Sequence, residues 1–400
     1  MNKTPKKIAT GSFLLVAAIF LISINLRPAV TAVGPVLEFI RADVGLSALF
    51  AGALTSIPLA VFAVMSPWAA AIGNRLGIER AIFISLLVLA GGILLRSAPS
   101  LFALYAGSLV LAAAMAVGNV LVPSLIKRDF PHKVSLMTSV YATTLSAFAS
   151  LSSGIAVPLA QALPGGWRSS LAVWFIPAVV TALILLPQLK NATKPLAAPG
   201  EKAVQSVWRS RLGWNVTLFM GLQAMSFYVM LGWLSSILQG QGYTPLAAGW
   251  IVALFPALGI PAGFIFPAMM SRFKDQRALC AFWSSMMLAG YVGMIVLPQF
   301  TVLWVIVSGT ALGFCFPLAL AFFALRASDA RQAAALSGMA QSVGYGVAAV
   351  GPILFGALHD WTGGWNAALL MLAACAAVQA FVGWYAGRNA HVGDATDARI

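Results

Sequence analysis

Gly165-Gly166-Trp167 and Gly363-Gly364-Trp365 are one triplet written twice, 198 positions apart. Each copy opens a long apolar run. Pro58 and Pro256, each midway along another such run, share the same offset of 198. Arg75 and Arg80 are answered by Arg272 and Arg277 at an offset of 197. Three separate landmarks in one register make the chain a tandem repeat, and the fold follows from what is repeated.

What is repeated is apolar helix. Runs fall near 12–36, 46–70, 81–97, 101–123, 134–160 and 168–187, then near 214–238, 246–270, 278–297, 301–325, 333–357 and 366–387. A helix that crosses a bilayer needs roughly 20 apolar residues, so twelve of them use most of the chain. The composition agrees: 60% of residues are hydrophobic and 8% charged, where soluble domains carry about 25% charged residues. The expected fold is therefore an all-α integral membrane protein of twelve transmembrane helices in two parallel six-helix repeats. Residues 1–188 form the first bundle, 213–400 the second, and 189–212 a polar linker, partly helical around Val204–Arg209. Both halves start on the same side, so the repeat axis lies along the membrane normal, which places a cavity between two bundles.

Charge sets the orientation. Lys and Arg number 24 against 10 acidic residues, a net charge of +14. Of the 24, 20 fall in the tails and loops of one side. Arg41, Arg96 and Arg168 fall on the other, and Arg27 lies inside the first run. This bias is that of membrane topology with cytoplasmic termini, in a bacterial inner membrane, and not of a nucleic-acid binder. Lys3, Lys6 and Lys7 before an apolar run resemble a signal peptide. The run continues to about Val36, so it reads as a retained first span. Cys280, Cys315 and Cys375 lie inside apolar runs and read as small buried hydrophobes. The chain has no Gly-x4-Gly-Lys-Ser/Thr phosphate loop, no His-Glu-x-x-His and no Gly-x-Ser-x-Gly. It is expected to be a monomer in the lipid bilayer, neither an enzyme nor an ATP-driven pump, with no cofactor or metal.

The residues expected to carry function are polar groups inside apolar runs. Arg27 sits near the middle of the first, where a central arginine costs at least about 2.5–3.5 kcal/mol to insert. It is the sole basic residue read as deep in a span, and it should face a wet cavity. Its planar donors suit carboxylate, cyanate or nitro oxygens. Ser23 and Thr31 share its helical face and Asn25 points away, toward its own bundle unless the helix bends near Pro28. The register places Gln223 opposite Asn25 and Met225 opposite Arg27, so the cavity should be cationic on one wall only. Further candidates for substrate contact are Asn25, Thr31, Asn119, Tyr141, Gln223, Tyr228, Gln341 and Tyr345. Phe255, Phe316 and Phe322 read mainly as core or lipid-facing. All acidic residues and His132, His359 and His391 map to loops, span ends or tails. Any proton partner would thus ride on the substrate or act indirectly. Arg75, Arg80, Arg272 and Arg277, with Asp129, are candidates for a gate that clamps the cytoplasmic helix ends.

The loop Asn74-Arg75-Leu76-Gly77-Ile78-Glu79-Arg80 resembles the motif between spans 2 and 3 of the major facilitator superfamily, with Asn74 where that motif has aspartate. Asn25-Leu26-Arg27-Pro28 with Thr31-Ala32-Val33-Gly34-Pro35 resembles the first span of its cyanate and 2-nitroimidazole transporter family (CynX/NimT). So does the run from Gly118-Asn119 to Pro131-His132. Leu325-Arg326-Ala327-Ser328 and the run Ala335 to Tyr345 look most like the nitroimidazole branch. The resemblance implies a proton- or gradient-linked carrier, symporter or antiporter, for a small anion or small nitro-heterocycle. The competing reading is a broad drug exporter with an apolar cavity and a structural Arg27.

Overall fold

The computed structural model describes residues 16–130, 134–191, 206–273, 275–328 and 330–393. Among them, twelve helices are long and apolar enough to cross a membrane, and no strand occurs. We number these α1 (Val16–Val44), α2 (Ala48–Gly73), α3 (Ile78–Arg96), α4 (Leu101–Pro123), α5 (Val140–Ala162) and α6 (Trp167–Leu185). The second half supplies α7 (Arg211–Gly240), α8 (Pro245–Arg272), α9 (Arg277–Val296), α10 (Pro298–Leu325), α11 (Gln332–Thr362) and α12 (Asn366–Ala386). In hydrocarbon every backbone N–H and C=O needs a partner within the protein, which is why apolar runs of this length fold as helices. Several starts carry the expected caps. Ser47 accepts from Phe50 N, Ser210 from Gly213 N and Thr244 from Ala247 N.

The repeated triplet turns out to be a corner. Gly165 and Gly166 have φ of +91° and +62°, and Gly363 has +67°, values that favour glycine. In the first copy Trp167 Nε1 donates to Asp43 Oδ2 at 3.2 Å. In the second, Trp365 packs against His359, ring centroids 4.0 Å apart. Of the linker, residues 192–205 lie outside the described region. Residues 206–209 form one helical turn, and Gln332 Nε2 ties Ser206 Oγ to the start of α11 at 3.1 Å.

The proline-bearing spans differ. α2 is continuous through Pro58 and Pro67, whereas α8 is interrupted at Leu258, two residues past Pro256. α1 is interrupted over Ile24–Arg27 and again over Ala32–Val36. This is a correction to the reading of Ser23, Arg27 and Thr31 as one helical face. Asn25 N turns to Ile22 O and Val33 N to Val30 O, while residue 35 is a proline with no N–H. The carbonyls of Leu21, Ala29 and Thr31 thereby lose their backbone partners one turn on. Side chains of the same half take their place: Thr181 Oγ1 on Leu21, Arg96 Nη1 on Ala29 and Ser153 Oγ on Thr31.

On the face where α1 ends and α12 starts the two halves close tightly. A methyl on Gly34 would overlap the backbone carbonyl of Leu231, and one on Gly52 that of Pro352. Polar contacts cross here as well. Ser236 Oγ donates to Glu38 Oε1 at 2.5 Å, and Leu49 N donates to Asp360 Oδ2 at 3.1 Å.

Candidate substrate cavity

Between the halves lies a cavity of about 590 Å³. It reaches from Arg27, Tyr228 and Tyr345 toward the face where α1 starts and α12 ends, where Thr138 and Ala324 line it and are exposed. Tyr345 in turn packs edge-on against Phe62 of the other half, ring centres 5.5 Å apart.

The interruption of α1 delivers Arg27 to this space. Its backbone sits at φ −129°, ψ −43°, outside the helical pair of angles, just before the short helix Pro28–Thr31. Arg27 Nη1 donates to the Tyr228 hydroxyl across the halves at 2.6 Å. The guanidinium carbon lies 5.6 Å from the Phe227 ring centre, 5.7 Å from Tyr228 and 5.9 Å from Phe316. Contacts of this kind contribute about 0.5–1 kcal/mol at exposed sites and about 2 when desolvated. Among the described residues no carboxylate pairs with Arg27. The cavity is thus a cation ringed by aromatic faces.

The two walls differ in chemistry. The first half supplies the cation and a hydroxyl row, Thr138, Thr143 and Ser146, from the helix Val134–Ala162 that contains α5. The second half supplies Phe227, Phe255, Phe266 and Phe316, with Gln223, Tyr228 and Tyr345 as its polar groups. Gln223 Oε1 is buried and has no hydrogen-bond partner in the protein.

Of the residues singled out in the sequence, Arg27, Gln223, Tyr228 and Tyr345 come together around the cavity. Others do not reach it. Asn25 donates to Thr181 Oγ1 at 2.9 Å inside the first half, and Thr31 shares a 2.6 Å hydrogen bond with Ser152. Both are buried because the broken α1 turns its polar groups toward its own bundle. Tyr141 donates to Asn119 Oδ1 at 3.2 Å, also within that half. Gln341 donates to Ser337 Oγ at 2.9 Å on its own helix. Phe255 and Phe316 line the cavity, whereas Phe322 packs on Phe219 in the core.

Among the described residues the ion pairs of the helix-end arginines lie within one half. Asp129 pairs with the neighbouring Arg128 at 2.6 Å, and Arg128 also reaches Glu79 at 2.8 Å. Arg277 pairs with Asp275 at 2.7 Å. Arg75, Arg80 and Arg272 are exposed. Asp329, the other acid considered for this gate, lies outside the described residues.

Two further arginines are buried in the protein, both at span ends rather than deep in a span. Arg326 is 1% exposed and donates to Gln276, Ala386 O and Gly387 O. Arg96, expected in an outer loop, is 2% exposed. The hydroxyl row also went unanticipated, although its spacing along one apolar run is a legible signal. Phe227 and Phe266 carried none, since the chain has 24 phenylalanines.

The Major Facilitator Superfamily model matches residues 13–352. The chain belongs to that superfamily. It is 40% identical over 380 residues to the 2-nitroimidazole transporter of Escherichia coli (strain K12), covering 94% of this chain and 96% of that one. It is 41% identical over 388 residues to the uncharacterized transporter YycB of Bacillus subtilis (strain 168), covering 95% of each. To the cyanate transport protein CynX of Escherichia coli (strain K12) it is 28% identical over 351 residues, 87% of this chain and 91% of that one. Among solved structures, a bacterial homolog of the lysosomal transporter Spinster superposes with a TM-score of 0.75 at 15% identity, covering 96% and 98% of the two chains. A D-xylose-proton symporter superposes at 0.73 with 13% identity, covering 96% and 98%. The protein is accordingly a multi-pass membrane transporter of the major facilitator superfamily and not an enzyme.

Proposed function

We propose that this transporter moves a small anion or small polar heterocycle, cyanate-like or 2-nitroimidazole-like, across a bacterial inner membrane by alternating access, with Arg27 as the central binding cation. The observation that carries this reading is the unneutralised guanidinium of Arg27 at the head of the cavity, held on Tyr228 Oη at 2.6 Å. A charge taken out of bulk water needs a counter-charge or dense hydrogen bonding. The protein supplies one hydroxyl and three ring faces, which leaves an anionic or nitro group as the natural complement of the remaining donors. A flat ligand would also find ring faces at Phe227 and Phe316. The relatives named for 2-nitroimidazole and cyanate transport point the same way.

The distribution of basic residues supports cytoplasmic termini, and with them a cavity that faces the cytoplasm. Rocking of the two halves would separate the Gly34 and Gly52 contacts on one face and bring the helix ends with Arg75, Arg80, Asp129, Arg272 and Arg277 together on the other. Protons, if coupled, travel with the substrate or act indirectly, because among the described residues no acidic side chain lines the cavity. A second reading, a broad exporter of apolar drugs with a structural Arg27, is favoured by the row of phenylalanines on the second-half wall. Flux into proteoliposomes separates the two. The proposal expects uptake of labelled cyanate or 2-nitroimidazole by the wild type and its loss in Arg27→Gln. Undiminished flux of both probes in that variant would remove Arg27 from the site, and flux of neutral drugs in their place would establish the exporter.

A further inference from the structure

Arg96, at the end of α3, is buried among apolar residues of the first half. Its Nη1 donates to Ala29 O, and its Nε and Nη2 have no hydrogen-bond partner in the protein. A guanidinium in that state is unfavourable compared with an apolar side chain of similar length. Stability of the bundle does not account for it. The C-terminal half marks the contrast. Its matching helix, α9, carries no basic residue after Arg277. The span that α9 accompanies, α7, is a single helix from Arg211 to Gly240. The third span of a half ends in a buried arginine where the first span is broken and carries none there where it is whole.

Of the α1 carbonyls that lose their backbone partners at the break, three are taken by side chains of other spans, those of Leu21, Ala29 and Thr31. Thr181 and Ser153, neutral hydroxyls, take the outer two. The middle one, two residues from Arg27, is taken by the only charged donor of the three. A charged donor forms the stronger hydrogen bond, and its rigid fork fixes direction as well as distance. We propose that Arg96 is a positioning residue: by holding Ala29 O it sets the main chain at the break so that Arg27 projects into the cavity. Arg96 touches no substrate on this view and acts only through the backbone of Pro28–Thr31. Its value for transport rests on the reading of Arg27 as the substrate cation. Its effect on where residue 27 points does not.

The test uses the full-length protein. In a background with Cys280, Cys315 and Cys375 replaced by alanine, Arg27→Cys is labelled with methyl methanethiosulfonate, a neutral reagent, and rates are compared as the limiting rate constants of the thiolate taken from their pH dependence, so that a change in thiol acidity on removing the charge at position 96 is separated from a change in access. Addition of Arg96→Met is expected to change that rate at least tenfold. Arg96→Lys, which keeps a charged donor, is expected to bring it back to within about threefold. With Arg27 intact, Arg96→Met is expected to keep or raise the melting temperature in detergent while raising KM for 2-nitroimidazole or cyanate at least tenfold, and Arg96→Lys to recover most of the loss. An unchanged labelling rate in Arg96→Met overturns the proposal whatever happens to uptake. A changed rate in a protein whose wild type transports neither probe sustains the positioning role and removes the substrate reading. Should Arg96→Met not be recovered folded, both readouts pass to Gly107→Ala, whose added methyl would overlap the Arg96 backbone and displaces the arginine without removing it. Unchanged labelling there overturns the proposal equally.

Discussion

Spans α1 and α7 are the same element in two copies, and they are built in opposite ways. α7 is one helix of 30 residues with its side chains almost entirely buried. α1 is interrupted twice, and its freed carbonyls are tied to side chains from α3, α5 and α6. Where α1 places Arg27, α7 places Met225, 8% exposed and 3.8 Å from Cys375 Sγ. Where α1 has Pro28, α7 has Ser226, and where α1 has Pro35, α7 has Trp233. The prolines deny N–H groups to the ladder, and the chain bends around the loss. A duplicated scaffold has thus kept one copy as a rigid wall and turned the other into a mount for a single charge.

That contrast can be broken most sharply at the charge itself. Arg27→Gln is expected to lower cyanate uptake in proteoliposomes by about a hundredfold or more, since hydrogen bonds to a charged group contribute about 1.5–3 kcal/mol each. Adding Met225→Arg should not restore it, because α7 has no break to aim the new side chain into the cavity. Recovery of flux in the double variant would show the two walls to be interchangeable.

A smaller effect is expected at the paired glycines. Gly34 and Gly232 are separated by the repeat offset of 198, but a methyl on Gly34 would overlap the Leu231 carbonyl, whereas on Gly232 it meets the Thr55 side chain at 3.3 Å. Gly34→Ala is expected to hinder closure of that face and reduce uptake by about tenfold. Gly232→Ala should leave most of it, because Thr55 can shift by a few tenths of an ångström. Cross-linking of cysteines placed at 49 and 360 reads the closure directly. Equal effects at both sites would mean that the face does not seal through α1.

Tyr228→Phe removes the one hydroxyl that α7 lends to Arg27. The expected outcome is a KM about tenfold higher at an unchanged maximal rate, as follows from losing about 1.5 kcal/mol of charge-assisted hydrogen bonding. A fall in maximal rate alone would assign Tyr228 to the rocking step. The smallest effect is expected at the inner face. The Arg277 guanidinium bonds Asp275 and holds its carboxyl below the usual aspartate range, so this pair stabilises the folded state above that range and is lost as pH falls through the lowered value. Both side chains are more than one-third exposed, at 37% and 39%. Arg277→Gln should therefore move the melting temperature at pH 7 by no more than about 2 °C.

The twelve spans were legible because apolar runs long enough to cross a bilayer are scarce in any other context, and the triplet at 165–167 and 363–365 set their register. Arg27 was legible for the same reason, as a charge where charges are expensive. The break in α1 was written in Pro28 and Pro35, yet α2 carries Pro58 and Pro67 and stays whole. A proline frees a carbonyl; whether the helix bends depends on which neighbours can take it, and that is tertiary information. Thr31 was read onto the same helical face as Arg27, and the break turns it into its own bundle, where Asn25 also points. Arg96 was illegible, since an arginine at the end of a span looks like a loop residue until something inside the bundle claims it.

The lone guanidinium of α1 also makes the carrier electrically uneven. On the proposed reading an empty cavity holds one unbalanced positive charge, and a cavity occupied by a monoanion holds none. A transmembrane voltage does work on the first and not on the second, up to about 2.3 kcal/mol per elementary charge for each 100 mV crossed in full. The membrane potential would then pace the return of the empty carrier, while the loaded step ran indifferent to it.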